Sequence, residues 1–220
     1  MKKSMLVLFS FLVFSVFVST GCWHSSDSDS TDETDADPCT GLVTFPDENL
    51  EAAIRQVIDK PEGDILSEDL VGLIKFDAIG WGISDLTNIH CLANLTFLSL
   101  DYNKISDISP LNELDNLEFL GLTNNQISDL TTLTNKTGLT ILHLSNNQLS
   151  HVGPLGIQKQ LRILLLDNNQ ITDILPLAEL WDLETLALSG NKINDLLALS
   201  GMIELDTLIM DNCQLSSTIP

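Results

Sequence analysis

The stretch Leu95–Asn116, LTFLSLDYNKISDISPLNELDN, is followed at once by Leu117–Gly138, LEFLGLTNNQISDLTTLTNKTG, and the two share a pattern almost position for position. The register continues along the chain: Leu95, Leu117, Leu139, Leu161, Leu183 and Leu205 stand at a constant step of 22 residues, each opening a version of LxxLxLxxNxIxDLxxLxxL. Internal repetition at this period marks a solenoid. A single unit buries too few apolar side chains to offset the ordering of its own backbone. Stacked units share apolar faces and pair their short strands, so stability accrues only along the array.

Inside a unit, the alternation in FLSL (Phe97–Leu100) predicts a strand with Leu98 and Leu100 inward and Phe97 and Ser99 outward. Asn103, Asn125, Asn147, Asn169 and Asn191 form a column at the bend that follows, and an inward amide is tolerable only when hydrogen-bonded. Asp85, Asp107, Asp129, Asp173 and Asp195 recur where the chain leaves that bend and are expected to cap a short turn on the outer side. Pro110, Pro154 and Pro176 keep that outer segment from becoming a long helix. The fold class is therefore an α/β solenoid of stacked units that pair their short strands.

This pattern resembles the leucine-rich repeat family, most closely the 22-residue class of bacterial internalin-like surface proteins. The resemblance runs from Leu73 to Pro220, opening on a degenerate unit, LIKFDAIGWGISDLTNIHCLAN, in which Trp81 occupies the Asn position. The segment VTFPDENLEAAI (Val43–Ile54) also looks like the caps of such proteins. The resemblance implies a curved array with short parallel strands on its concave face and a small helical cap at its N-terminal end, an Asn column turned inward onto buried backbone groups, a buried thiol at Cys213 in that column, and a domain that serves adhesion or recognition rather than catalysis.

At the N-terminus, Lys2 and Lys3 precede an apolar run, Met5–Val18, which is too short to span a bilayer as a helix but fits the hydrophobic part of a signal peptide over residues 1–21. Export to a bacterial cell envelope is expected. The following VSTGC resembles the lipobox of bacterial lipoproteins, with Gly21 before Cys22 and Ser19 where that family usually has Leu. It implies lipidation of Cys22 and a membrane anchor of several acyl chains; ordinary cleavage with a free thiol is the alternative. Residues 22–38 then form an acidic tether, Asp-rich and without core-forming side chains. A calcium loop there would need a turn Gly and a later bidentate Glu, and neither is in place.

Residues 39–72 read as the cap. Leu50, Ala53, Ile54, Val57 and Ile58 fall at helical spacing behind Pro46, with Asp47, Glu48 and Glu51 near the positive end of the helix. With Cys22 lipidated and Cys213 in the Asn column, Cys39 and Cys91 remain. In an oxidising compartment this pair is expected to form a disulfide tying the cap to the first unit, with two unpaired buried cysteines as the alternative.

The net charge of −21, with only 10 Lys and Arg, argues against nucleic acid or an anionic membrane surface as partner. His24, His90, His143 and His151 do not pair at metal-ligand spacing on one element, so neither a metal nor a cofactor is expected. No phosphate loop or G-x-S-x-G elbow is present, which disfavours a hydrolase. Asn94 and Asn135 stand in glycosylation sequons that would matter only in a eukaryotic secretory pathway. Function is instead expected where stacking dictates nothing. Phe97, Phe119, Ile141 and Ile163 in one outward column, with His143 and Leu165 in the next, predict an apolar stripe along the concave face. Asp101 and Asp167 border it among further carboxylates, with Arg162 almost the only opposing charge, so the expected partner is a protein with basic residues around an apolar ridge. A polysaccharide-binding or envelope-scaffolding role is the alternative, although a sugar site would favour Trp and Tyr platforms. The unit opening at Leu205 reaches 16 of 22 residues at Pro220, which leaves open how that edge is covered.

Overall fold

Among the described residues seven three-residue strands, β1 (Lys75–Asp77), β2 (Phe97–Ser99), β3 (Phe119–Gly121), β4 (Ile141–His143), β5 (Ile163–Leu165), β6 (Thr185–Ala187) and β7 (Thr207–Ile209), form one parallel sheet in chain order. The structure is a computed structural model that describes residues 37–213. The expected signal peptide, the expected lipidation site Cys22, most of the acidic tether and the tail of the last unit lie outside the described residues. The sheet register is the 22-residue step itself: Phe97 pairs with Phe119, Phe119 with Ile141, and Ile141 with Ile163. Strands β1 to β6 each return through a 3-10 helix, as at Ser109–Glu113, Gly153–Ile157 and Leu175–Glu179, where Pro110, Pro154 and Pro176 sit at the second position. The tight helix is what a short outer segment with an early Pro supports. The fold is the expected α/β solenoid.

Between strands and 3-10 helices lies one continuous core of stacked Leu and Ile columns, in which the strand leucines Leu98, Leu120, Leu142, Leu164 and Leu186 are all fully buried. At the bend the Asn column is hydrogen-bonded as a ladder. Asn125 donates from Nδ2 to the carbonyls of Leu100 and Leu122, and its Oδ1 accepts from the Ile105 N–H. Asn103, Asn147, Asn169 and Asn191 repeat this arrangement. Outside the bend, Asp85, Asp107, Asp129, Asp173 and Asp195 each accept from the N–H two residues on, at 2.8 Å. This fixes the entry to the 3-10 helices that begin at Ser109, Thr131, Leu175 and Leu197 through an Asx turn, whereas His151 holds that position before Gly153–Ile157. Cys213 stands in the Asn column but is half-buried rather than buried, its Sγ 3.5 Å from the Leu188 carbonyl oxygen.

Two positions break the apolar pattern without a signal that the repeat template offers. In the column Leu92, Leu114, Lys136, Gln158, Leu180, Met202, the lysine and glutamine are as buried as their neighbours. Lys136 Nζ donates to the Asn112 carbonyl and to Asp115 Oδ1. Gln158 Nε2 donates to the Leu133 carbonyl, while its Oε1 is buried without a partner. An orphaned buried acceptor costs about 1–3 kcal/mol. Gln158→Leu, which restores the side chain of the neighbouring units, is therefore expected to raise stability in urea unfolding by about 1–2 kcal/mol; a loss of stability would show that Oε1 is paired in solution.

The cap is fastened by one aspartate. Helix α1 (Glu48–Val57) buries Leu50, Ala53 and Ile54 against the first unit. Val57 is 42 % exposed because the helix ends there, and Ile58 on the C-cap takes over the packing. A second helix, α2 (Ser67–Leu70), seats Leu70 in the same core. Asp47 is the N-cap of α1: its Oδ1 accepts from the N–H groups of Asn49 and Leu50. Its Oδ2 reaches across to the first repeat and accepts from the N–H groups of Ser84 and Asp85 and from the Ser84 hydroxyl. Burial pushes this carboxyl up, but the Ser84, Leu50 and Asp85 donors outweigh it and hold the group below the ordinary carboxylate value. Asp47→Ala removes both the cap and the crosslink and is expected to destabilise the chain by about 2–3 kcal/mol. Because the folded state depresses this pKa, the contribution is complete above the unfolded value of 3.8 and is lost as pH falls through the lower folded value. Wild type and variant should thus converge in stability only in strong acid; a constant gap down to pH 2 would sink the assignment.

Candidate functional site

The residue before each central strand Leu and the residue after it face the concave side. In-register pairing sets the first column side by side: the Phe97 and Phe119 rings stack with centroids 4.2 Å apart and planes 7° from parallel. Ile141 and Ile163 follow in register. In the second column His143 meets the Phe119 ring edge-on at 5.1 Å, beside Leu165 on the next strand. All six side chains are half-buried, covering one another while leaving one face to solvent. Burial lowers the His143 pKa, against a smaller upward pull from Asp101, so the imidazole is neutral at neutral pH and belongs to the apolar surface.

The rest of the second column differs from the alternation. Ser99, Gly121 and Ala187 are buried rather than outward. For Ser99 and Gly121 the cause is Asp101, whose side chain lies over them. Its Oδ1 accepts from the Thr123 N–H at 2.6 Å and its Oδ2 from the Ser99 hydroxyl at 3.3 Å. A Cβ at position 121 would come within 2.9 Å of that carboxylate, so glycine there is what lets Asp101 cross to the next unit. Asp167, three units on, does the same, accepting from the Ser189 N–H at 2.9 Å and the Ser145 hydroxyl at 3.1 Å. Both carboxylates therefore stand at the border of the stripe, but each is already engaged in joining adjacent units. Arg162 is paired with Glu184.

Two features of this face were not read from the sequence. Lys75, 22 residues before Phe97, places its Nζ 4.3 Å above the Phe97 ring centroid and closes the stripe with a cation–π contact. At the bend beyond β2, Tyr102 has φ +59° in a column otherwise made of Gly80, Asn124, Asn146, Asn168, Gly190 and Asn212, all at positive φ. A bulky residue in this conformation costs about 1 kcal/mol, and Tyr102 is 63 % exposed, so packing does not compensate it. The column itself was visible as an Asn/Gly recurrence one place before the buried Asn.

On the outer side, the ligand atoms of Cys39, His90 and Cys91 lie within 4.8 Å of one another. The two sulfurs are bonded as the expected Cys39–Cys91 disulfide, which leaves His90 without thiolate partners for a metal.

A repeat of this length, strand geometry and Asn ladder defines a leucine-rich-repeat solenoid. The sequence matches the family of leucine-rich repeats in two copies over residues 93–135 and 159–201, and the single leucine-rich repeat over residues 138–159. Among solved structures, internalin C2 from Listeria monocytogenes is similar at 30 % identity and a TM-score of 0.65, covering 80 % of this chain and 88 % of that one. Another internalin of the same organism, inlF, is similar at 28 % identity and a TM-score of 0.67, covering 79 % of this chain; this chain spans 58 % of its length. A leucine-rich-repeat protein of Leptospira interrogans is 32 % identical over 58 % of this chain and 34 % of its own, with a TM-score of 0.55. No curated protein matches. The chain belongs to the internalin-like leucine-rich-repeat proteins, whose repeat domains are typically non-enzymatic recognition modules.

Proposed function

We propose that this chain is an exported, lipid-anchored protein of the bacterial cell envelope that binds a protein partner through the concave stripe and carries out no catalysis. The observation that carries the reading is the in-register run Phe97, Phe119, Ile141 and Ile163, half-exposed at positions where the solenoid asks for nothing apolar. Stacking of the two Phe rings and the neutral His143 at their edge make this a preformed surface of rigid side chains, the composition from which binding hot spots are built. The acidic surroundings favour a partner with basic residues flanking an apolar ridge. Lipidation of Cys22 would hold the domain at the membrane on its acidic tether. The test compares the full chain with the variant Phe97→Ser, Phe119→Ser, Ile163→Ser for capture of proteins from envelope and culture fractions, both proteins having been checked for equal melting. A protein retained by the wild type and lost by the variant identifies partner and site together. Equal capture by both would remove the stripe from the binding surface. Mass spectrometry of the membrane-extracted chain tests the anchor, with an acylated Cys22 at the mature N-terminus as the expected species.

A further inference from the structure

The repeats supply their own control for the outer surface. At the first position of the 3-10 helices, earlier units carry Ser109, Thr131 and Gly153, but the next two carry Leu175 and Leu197, exposed by 60 % and 69 %. At the position just beyond each helix, earlier units carry Ala93, Asp115, Thr137 and Lys159, followed by Trp181 and Ile203, exposed by 58 % and 84 %. The fold is built equally well with small or polar residues at both positions, so it does not require these four. For Leu175 and Trp181 the exposure is not an effect of the sheet's end, since the unit holding them is flanked on both sides by described units. The two columns are separated by the length of one 3-10 helix, about 10 Å for five residues.

The chemistry around these side chains selects an occupant. Between Asp173 and Asp206 the chain has seven carboxylates and a single lysine. Lys159 Nζ already lies 5.7 Å from the Trp181 ring centroid and is paired with Glu179, so one cation from the chain itself is held between an aromatic ring and a carboxylate. A second copy would bring the same negative surface, and an anionic membrane would be repelled in the same way. We propose that the outer face of these two units is a second docking surface, distinct from the concave stripe, for a cationic amphipathic segment of another protein whose apolar side chains engage Leu175, Leu197, Trp181 and Ile203 and whose Lys or Arg residues meet the surrounding carboxylates.

The test uses the full chain and three synthetic helices: one of Lys and Leu, one of Lys and Ser with equal charge, and one of Glu and Leu. Leu175, Leu197, Trp181 and Ile203 are replaced by Thr, the residue that the unit opening at Leu117 carries at both positions, so charge is unchanged and the fold should be kept. If the fourfold variant fails to melt cooperatively, the pair Leu175→Thr, Trp181→Thr carries the comparison. The Lys/Leu helix is expected to bind the wild type about tenfold or more tighter than the variant, with the Lys/Ser helix showing no such difference. Equal affinity of the Lys/Leu helix for both proteins overturns the proposal, because binding would then rest on charge alone. It is equally overturned if the four side chains instead mediate binding of the Glu/Leu helix, binding of phosphatidylcholine vesicles, or self-association in sedimentation.

Discussion

Asn147→Ala is expected to lower the stability of the solenoid by about 3 kcal/mol in equilibrium urea unfolding. The amide sits at the centre of the ladder, with Oδ1 accepting from the Ile127 N–H at 2.9 Å and Nδ2 donating to the carbonyls of Leu122 and Leu144 at 2.9 and 3.1 Å. The three backbone groups do not lose equally. The Leu122 carbonyl still accepts from Asn125, and the Leu144 carbonyl still accepts from Asn169. The Ile127 N–H is left buried with nothing, and that orphan dominates the loss, with two broken bonds and the vacated volume adding to it. Because units hold one another only through their nearest neighbours, a break at the middle should also loosen the coupling between the two halves, read as a smaller slope of stability with urea. Gln148→Ala, one residue away and exposed, should stay within about 0.5 kcal/mol of wild type. A loss below about 1 kcal/mol for Asn147→Ala would mean that water reaches the bend and satisfies the Ile127 N–H, and the ladder would then be a consequence of the curvature rather than one of its supports.

What could be read from the sequence follows from what repetition amplifies. A strand of three residues is too short to be recognised alone, yet seven of them at one step fix register, direction and order together, and the Asn, Asp and Pro columns gain their meaning in the same way. Departures from the template are legible as substitutions, but not for where they place the side chain. Nothing in the sequence singles out Lys136 and Gln158 as buried, because polarity normally goes with exposure; a long stem lets one reach a carboxylate and the amide lets the other reach a carbonyl from inside the core. The concave stripe was legible as a list of outward positions, but not its finish. Whether Ser99 and Gly121 are open or covered depends on where the Asp101 side chain lies, and Lys75 joins the stripe through a ring contact that no spacing specifies. Asp47 was placed at the helix end by composition. Its second oxygen, which crosses to Ser84, is a tertiary contact 37 residues away and has no local signal.

That second oxygen bears on the other large effect, which is expected from opening the Cys39–Cys91 disulfide. The bond closes a loop over a sequence separation of 52 that contains α1, α2 and β1, the whole cap, and joins the turn at Asp37–Thr40 to the 3-10 helix Ile89–Cys91. Chain-entropy reasoning for a loop of this length gives about 4 kcal/mol, and the doubly substituted chain Cys39→Ser, Cys91→Ser should lose an amount of that order relative to the oxidised wild type. The cap should nevertheless stay docked in the native state. Asp47 still holds Ser84 and Asp85, Asn88 Nδ2 still donates to the Thr44 carbonyl at 2.9 Å, and Leu50 and Ile54 remain in the core. The loss should therefore appear first as local opening: amides of α1 exchange faster with solvent in the double-serine chain, while those of β3 to β5 keep their protection. Asp47 and the disulfide restrain the same junction, so their effects should not add. Asp47→Ala introduced into the double-serine chain is expected to strip the cap from the repeats and cost more than its 2–3 kcal/mol in the oxidised chain, a coupling measured directly by a double-mutant cycle. If oxidised and double-serine chains unfold at the same urea concentration, the loop is already restricted in the unfolded chain, and the cap is held by side-chain packing and Asp47 alone.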